Sequence, residues 1–315
     1  MSIIEKAVDK FDQPDRAAQD TARVAEIAGS PSSNVTLIER AVDTLDAGQA
    51  EAVAESVQAP PAEQTAARDE QTVRHENIDL AKLRLAGMIT PNAEKTQIAE
   101  EFRLIKRPLL MNAFGQGAVP IKNGNLVMVT SSFPGEGKSF CAINLAMSIA
   151  MEMDRTVLLV DADVAKPSIP EFLGFRAKKG LMDVLLDDQL QLSDVLIKTN
   201  VEKLTILPAG RGHRHATELL ASAAMNRLLA EMAQRYPDRI IIFDSPPLLI
   251  TTEARVLAAH MGQIVMVVEA ERTPQEALKE ALSQIESCDV VGLLLNKGNG
   301  LPGTDYYGSY GSYGK

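Results

Sequence analysis

The sequence has only two cysteines, Cys141 and Cys288, far apart and in no CxxC or Cys/His cluster. Their placement argues against a disulfide framework and against a zinc site. No apolar run approaches the roughly 18–20 residues that a membrane-spanning helix requires. The N-terminus is acidic, where a signal peptide would carry a basic start and an apolar core. A basic surplus is also missing, since 32 Lys and Arg stand against 42 Asp and Glu for a net charge of -10. Nucleic-acid binding needs the opposite balance and is not expected. Aromatics make up only 4% of the chain, with five tyrosines in all. The composition predicts an intracellular, cytoplasmic protein with no direct membrane span.

The acidity is uneven. Residues 1 to 75 hold seven Lys/Arg against fourteen Asp/Glu, which is -7 of the total -10 and leaves -3 for the remainder. This stretch has one aromatic, Phe11, and its prolines (Pro14, Pro31, Pro60, Pro61) interrupt any long helix. Such a segment cannot bury enough apolar surface to offset its ordering entropy, so residues 1–77 are expected to form a largely disordered extension. Within it, Ile3-Ile4-Glu5-Lys6-Ala7-Val8-Asp9 is echoed 34 positions later by Leu37-Ile38-Glu39-Arg40-Ala41-Val42-Asp43. The repeated apolar positions line one helical face, and both a pair of partner-docking helices and a pair of frayed ones fit that pattern.

From Ile78 the texture changes. Residues 78–118 predict a helical lead-in, with a helix from Gln97 to Leu110 ending near Pro108. Residues 119–298 contain apolar runs at Leu126–Val129, Val157–Val160, Ile240–Phe243, Ile264–Val268 and Val291–Leu295, and a weaker one at Leu204–Leu207. Near-continuous apolar runs mark strands covered on both faces. The segments between them, such as 138–151, 217–236 and 274–287, are long enough for crossover helices. The expected fold is therefore α/β, a doubly wound and mostly parallel sheet. Residues 299–315 are rich in Gly, Ser and Tyr with no periodic apolar face, and predict a mobile tail.

Three segments carry chemistry. Ser132-Phe133-Pro134-Gly135-Glu136-Gly137-Lys138-Ser139 follows a strand and opens a helix, the setting of a phosphate-binding loop, although Ser132 stands at the first glycine position. In the nucleotide-binding loop from Pro134 to Phe140, the backbone N–H groups of the Gly135 to Ser139 turn and the N-terminus of the following helix would surround phosphate, Lys138 would reach its outer oxygens, and the Ser139 hydroxyl would ligate Mg²⁺. Second, the run Val157–Val160 delivers Asp161 and Asp163 on the same side of an extended segment, suited to metal binding and proton acceptance. Third, Ile240–Phe243 ends in Asp244, a further metal candidate near the terminal phosphate. A basic loop, Arg211-Gly212-His213-Arg214-His215, could touch nucleotide, acceptor or neighbour, or simply be solvated.

In this order, and with Tyr306, Tyr307, Tyr310 and Tyr313 crowded into the tail, these motifs resemble the bacterial tyrosine autokinases of exopolysaccharide synthesis, built on a deviant P-loop NTPase fold. The resemblance runs from about Ile78 to Lys315 and includes Gly180-Leu181-Met182-Asp183-Val184-Leu185, Leu207-Pro208-Ala209-Gly210 and Glu218-Leu219-Leu220. The extension adds only a looser similarity to autokinases of exosortase-type polysaccharide loci. The resemblance implies ATP and Mg²⁺ as cofactors, with Lys138 and Ser139 on phosphate and metal. It puts Asp161 and Asp163 near metal and acceptor, Asp244 on the metal, and Asn296 against the adenine. It also implies the four tail tyrosines as phosphoacceptors and a homo-oligomer that exchanges tails between subunits. Assembly would use a helix reading Glu100, Arg103 and Lys106, where lysine replaces the family's last arginine. With no membrane span expected, the activator would be a separate transmembrane protein, holding this chain at the inner membrane. The catalytic-loop and Asp-Phe-Gly signatures of eukaryotic kinases are missing. A partitioning-type ATPase of the same fold and a nucleotide-regulated scaffold remain alternative readings.

Overall fold

The structure is a computed structural model that describes residues 74–91, 96–115, 120–236 and 238–298. The acidic extension up to residue 73, with its echoed motif, and the tyrosine tail lie outside the described residues.

Among those residues a single sheet contains β1 (Arg74–Glu76), β2 (Leu126–Ser131), β3 (Thr156–Asp161), β4 (Ile197–Thr199), β5 (Leu204–Leu207), β6 (Arg239–Asp244), β7 (Gln263–Glu269) and β8 (Val291–Asn296). Its order is β1-β4-β5-β3-β6-β2-β7-β8, with only the β4–β5 pair antiparallel. The apolar runs become central strands because both of their faces are covered. Val127, Val129, Val157, Leu159, Ile240 and Ile242 point into one core. Leu126, Met128, Leu158, Val160, Ile241 and Phe243 point into the other. This period-2 division across a sheet flanked by two cores is the doubly wound arrangement.

The helices are α1 (Leu80–Leu85), α2 (Gln97–Ala113), α3 (Lys138–Ala150), α4 (Ile169–Leu173), α5 (Leu181–Leu186), α6 (Leu192–Val195), α7 (Ala216–Leu220), α8 (Ala223–Arg235), α9 (Thr252–Ala258) and α10 (Gln275–Ser283). The first three join the β2 and β3 face through Leu83, Phe102, Leu109 and Ile143, so the lead-in is part of the main core. The stretch expected as one crossover, residues 217–236, is two helices, because Ser222 caps α8 by accepting a hydrogen bond from the Met225 N–H.

Two features of α2 depart from expectation. The helix runs through Pro108 to Ala113, since its buried face of Ala99, Phe102 and Leu109 outweighs the one backbone bond that proline cannot make. Lys106 lies on that same inward face, only 4% exposed. Its Nζ donates to the Ser148 carbonyl at 2.6 Å and pairs with Glu152 at 2.7 Å, at the C-terminal end of α3. A cation there satisfies an end carbonyl and complements the helix dipole. The hydrogen bond from Lys106 also holds the Glu152 carboxyl below its ordinary range. The expected role of Lys106 in subunit contact is therefore corrected: it is an internal strut, while Glu100 and Arg103 pair with each other on the exposed face. Lys106→Met is expected to destabilise the monomer by about 1–3 kcal/mol, the loss of a charge-assisted bond to a buried carbonyl. Urea unfolding reads this directly, and an unchanged midpoint would show the strut to be idle.

Candidate active site

Gly135 and Gly137 adopt positive φ values of 88° and 100°. That left-handed backbone turns the chain sharply between β2 and α3. The loop is pinned from its outer side. Lys297 Nζ donates to the Gly135 carbonyl at 2.7 Å, and Asn296 Nδ2 donates to the Glu136 carbonyl at 2.9 Å. The Glu136 carboxylate accepts from the Phe133 N–H at 2.8 Å and from the Thr273 hydroxyl. A side chain at position 137 would also place its Cβ 2.1 Å from Asn296 Nδ2. With the carbonyls tied outward, the N–H groups from Gly135 to Phe140 have no acceptor within the protein among the described residues. A row of unpaired N–H groups at a helix N-terminus is a phosphate cradle.

Two carboxylates complete the site from adjacent strands. Asp161 and Asp244 are register partners at the carboxyl ends of β3 and β6. Both are fully buried. Asp161 Oδ2 accepts from the Ser168 and Ile169 N–H groups at 2.9 and 3.0 Å, while its Oδ1 and both oxygens of Asp244 have no partner. Burial pushes Asp161 up to about 6 and Asp244 up to about 7, the latter tempered by the Lys138 charge. The Ser139 hydroxyl also tempers Asp244, although it makes no bond of full hydrogen-bonding geometry to it. Unpaired buried carboxylates are costly, and a cation between them would remove that cost.

Lys138 crosses to Asp163 at 3.0 Å, and Asp163 Oδ1 accepts the Lys166 N–H at 3.0 Å. Ser139 Oγ lies 3.2 Å from Ser168 Oγ. Thus Lys138, Ser139, Asp161, Asp163 and Asp244 converge at the carboxyl edge of the central strands, the edge on which open α/β sheets bind ligands. No cluster of three or more His, Cys, Asp or Glu is arranged to hold a metal alone among the described residues. The donor set fits magnesium, which keeps waters and shares phosphate oxygens instead of occupying an all-protein cage.

Asn296 stands at the phosphate loop, where its Nδ2 donates to the Glu136 carbonyl. Glu136 itself acts through its side chain as a brace. Pro134 and Phe140 flank the turn. The tail tyrosines lie outside the described residues. Thr273 went unread because it reaches the loop from 137 positions away; Lys297, next to Asn296, and Ser168, seven residues after Asp161, went unread because no local pattern marks them.

The AAA domain model matches residues 125–291. A putative tyrosine-protein kinase, EpsB, of Ralstonia nicotianae is 33% identical over 202 residues, covering 64% of this chain and 26% of that protein. The chain thus spans about a quarter of that relative's length. The tyrosine-protein kinase CpsD of Streptococcus agalactiae is 34% identical over 197 residues, covering 62% of this chain and 83% of that protein. Among solved structures, the chimerical protein CapA2B2 superposes with a TM-score of 0.57 at 26% identity, over 71% of this chain and 92% of that one. The P-loop, the paired strand-end carboxylates and these relatives together place the chain in the AAA-domain family and, within it, among the bacterial tyrosine-protein kinases.

Proposed function

We propose that this chain is an ATP- and magnesium-dependent tyrosine autokinase that phosphorylates Tyr306, Tyr307, Tyr310 and Tyr313 of its own tail. The observation that carries this reading is the pair of buried carboxylates, Asp161 and Asp244, three of whose four oxygens have no partner, at the same sheet edge as the N–H cradle and Lys138. Magnesium nucleotide, when bound, supplies the phosphoryl group and the countercharge those carboxylates lack. Ser139, Asp161 and Asp244 hold the metal. The Gly135 to Phe140 N–H groups hold phosphate oxygens, and Lys138 leaves Asp163 to neutralise charge that develops on the transferred group. Asp163, released from that pair, accepts the proton of the incoming phenol. The tyrosine oxygen forms the new bond to phosphorus as the bond to the departing diphosphate breaks.

Assembly would present one subunit's tail to another. Glu100 and Arg103 remain the exposed contact candidates of α2. No helix of the described residues is long and apolar enough to cross a membrane, which suits activation by a separate transmembrane protein at the inner membrane. The motif resemblance points to control of exopolysaccharide assembly or export as the output.

Incubation of the purified full chain with labelled ATP, followed by peptide mass spectrometry, tests the reaction. Phosphotyrosine at the four tail positions is the expected result. Free phosphate without phosphotyrosine would replace this reading by a partitioning-type ATPase, and neither product by a nucleotide-regulated scaffold.

A further inference from the structure

Away from the phosphate cradle, two loops are stitched together at the carboxyl edge of β3 and β5. The Leu181 and Met182 N–H groups donate to the Pro208 and Ala209 carbonyls at 2.8 and 2.9 Å. Asp183, 2% exposed, accepts from the Gly180 N–H at 3.0 Å, the Arg211 N–H at 3.2 Å and Arg211 Nε at 2.7 Å. A Cβ at Gly180 would lie 2.0 Å from the Pro208 carbonyl oxygen, and one at Gly210 2.4 Å from Asp183 Oδ2. The two backbones are in contact, and only glycine permits it. The stitch gives the Gly180–Leu185 and Leu207–Gly210 segments a structural reason.

This clamp brings two cation-bearing segments together. Arg176, Lys178 and Lys179 lead into Gly180, while Arg211, His213, Arg214 and His215 follow Gly210. Arg176, Lys178, Lys179 and Arg214 are exposed and have no ion-pair partner among the described residues. Arg211 is anchored to Asp183 through Nε, its side chain is 77% exposed, and neither Nη group makes a hydrogen bond among the described residues. An acid beside this group is Glu218 of α7, 4.0 Å from His215. A guanidinium held at Nε with its Nη groups unbonded, on segments that carry further unpaired cations, is suited to a phosphate monoester.

We propose that this clamp binds phosphotyrosine and that its ligand is the phosphorylated tail of this chain. The proposal rests on the tail being the phosphoacceptor. Charge complementarity selects the occupant. Before phosphorylation, residues 299–315 carry one Asp and one Lys, and the clamp has no electrostatic reason to hold them. Each phosphotyrosine adds roughly -1.5 to -2 charges at neutral pH. Reach permits it as well: β5 and β8 are five strand positions apart, about 24 Å at strand spacing. Twelve residues separate position 298 from Tyr310, and extended chain spans up to about 40 Å over that length.

The consequence is an order of events. Tyr307, Tyr310 and Tyr313 are spaced by three residues. A phosphotyrosine seated on the clamp would hold the next tyrosine about 10 Å further along an extended chain, beside the site at the end of β3. Later phosphorylations are then favoured by the first.

Fluorescence anisotropy with a synthetic 299–315 peptide, unmodified or phosphorylated at Tyr307 and Tyr310, added to the full chain, tests this without any catalytic step. The phosphopeptide is expected to bind at least about tenfold tighter, one factor of ten being the least that a single charge-assisted bond provides. The preference should vanish in Lys178→Glu/Lys179→Glu/Arg214→Glu, whose residues lie outside the Asp183 bonds, and weaken in Arg214→Gln alone. ATP binding should be unchanged in both variants. Equal affinity for the two peptides, or a preference that survives the triple substitution, would overturn the proposal. So would binding to phosphatidylglycerol vesicles that the triple variant loses while the phosphopeptide shows no preference. Because the assay needs no turnover, an inactive kinase with phosphopeptide preference and an active one without it are told apart.

Discussion

Lys138→Met is expected to lower tail labelling by about 10²–10³-fold, the cost of removing one preorganised charge from a developing anion. It should do so without unfolding the protein. The substituted side chain keeps the length and apolar stem of lysine, and the Nζ it removes has one side-chain partner, Asp163, at 3.0 Å. Asp163 retains the Lys166 N–H as a donor. A cooperative melt with lost labelling is therefore the expected pair of results. Mixing then separates chemistry from tail delivery. A Lys138→Met subunit with intact tyrosines, combined with an active subunit whose four tail tyrosines are Phe, should become labelled on the inactive chain. Labelling retained by Lys138→Met alone would remove Lys138 from the catalytic role, whereas a mixture that stays unlabelled would remove tail exchange.

The site was legible to the extent that its parts are local. A buried strand that ends in an aspartate announces itself, and β3 and β6 do so because their apolar runs are covered on both faces. Their neighbouring register, which sets Asp161 beside Asp244, is a matter of strand order and cannot be seen in either segment. β1 and β4 escaped because three-residue strands with polar members leave no periodic signal. Lys106 misled by its charge. It stands six residues after Glu100, about 240° round at ~100° per residue, which puts it within the arc of Phe102 and Leu109. Helical phase alone would have turned it inward, and Arg107, seven residues on, falls back near the Glu100 line and is exposed. The brace from Glu136 to Thr273 spans 137 positions and has no sequence signature.

Asp244→Asn is expected to abolish magnesium-dependent phosphoryl transfer while flattening the pH dependence of stability of the nucleotide-free protein. The ordinary value of this carboxyl is 3.8, and burial pushes it up to about 7 in the folded chain. The folded state therefore binds a proton that the unfolded state has released throughout the interval between those values. Stability falls as pH rises across that interval and levels off above it, because stability increases with pH only where the unfolded chain binds more protons. At ~1.4 kcal/mol per pKa unit, the fall attributable to Asp244 between pH 5 and pH 8 is on the order of 3 kcal/mol. Asp161, pushed up to about 6 by its own burial, adds a smaller fall that the variant keeps. Urea unfolding in chelator at the two pH values should show wild type losing markedly more stability than Asp244→Asn. Magnesium with ATP should restore much of that loss in wild type and little in the variant, since binding to the folded state alone stabilises by mass action. Parallel curves for the two proteins would mean that Asp244 is already neutralised within the fold, and the metal would then have to be held without it.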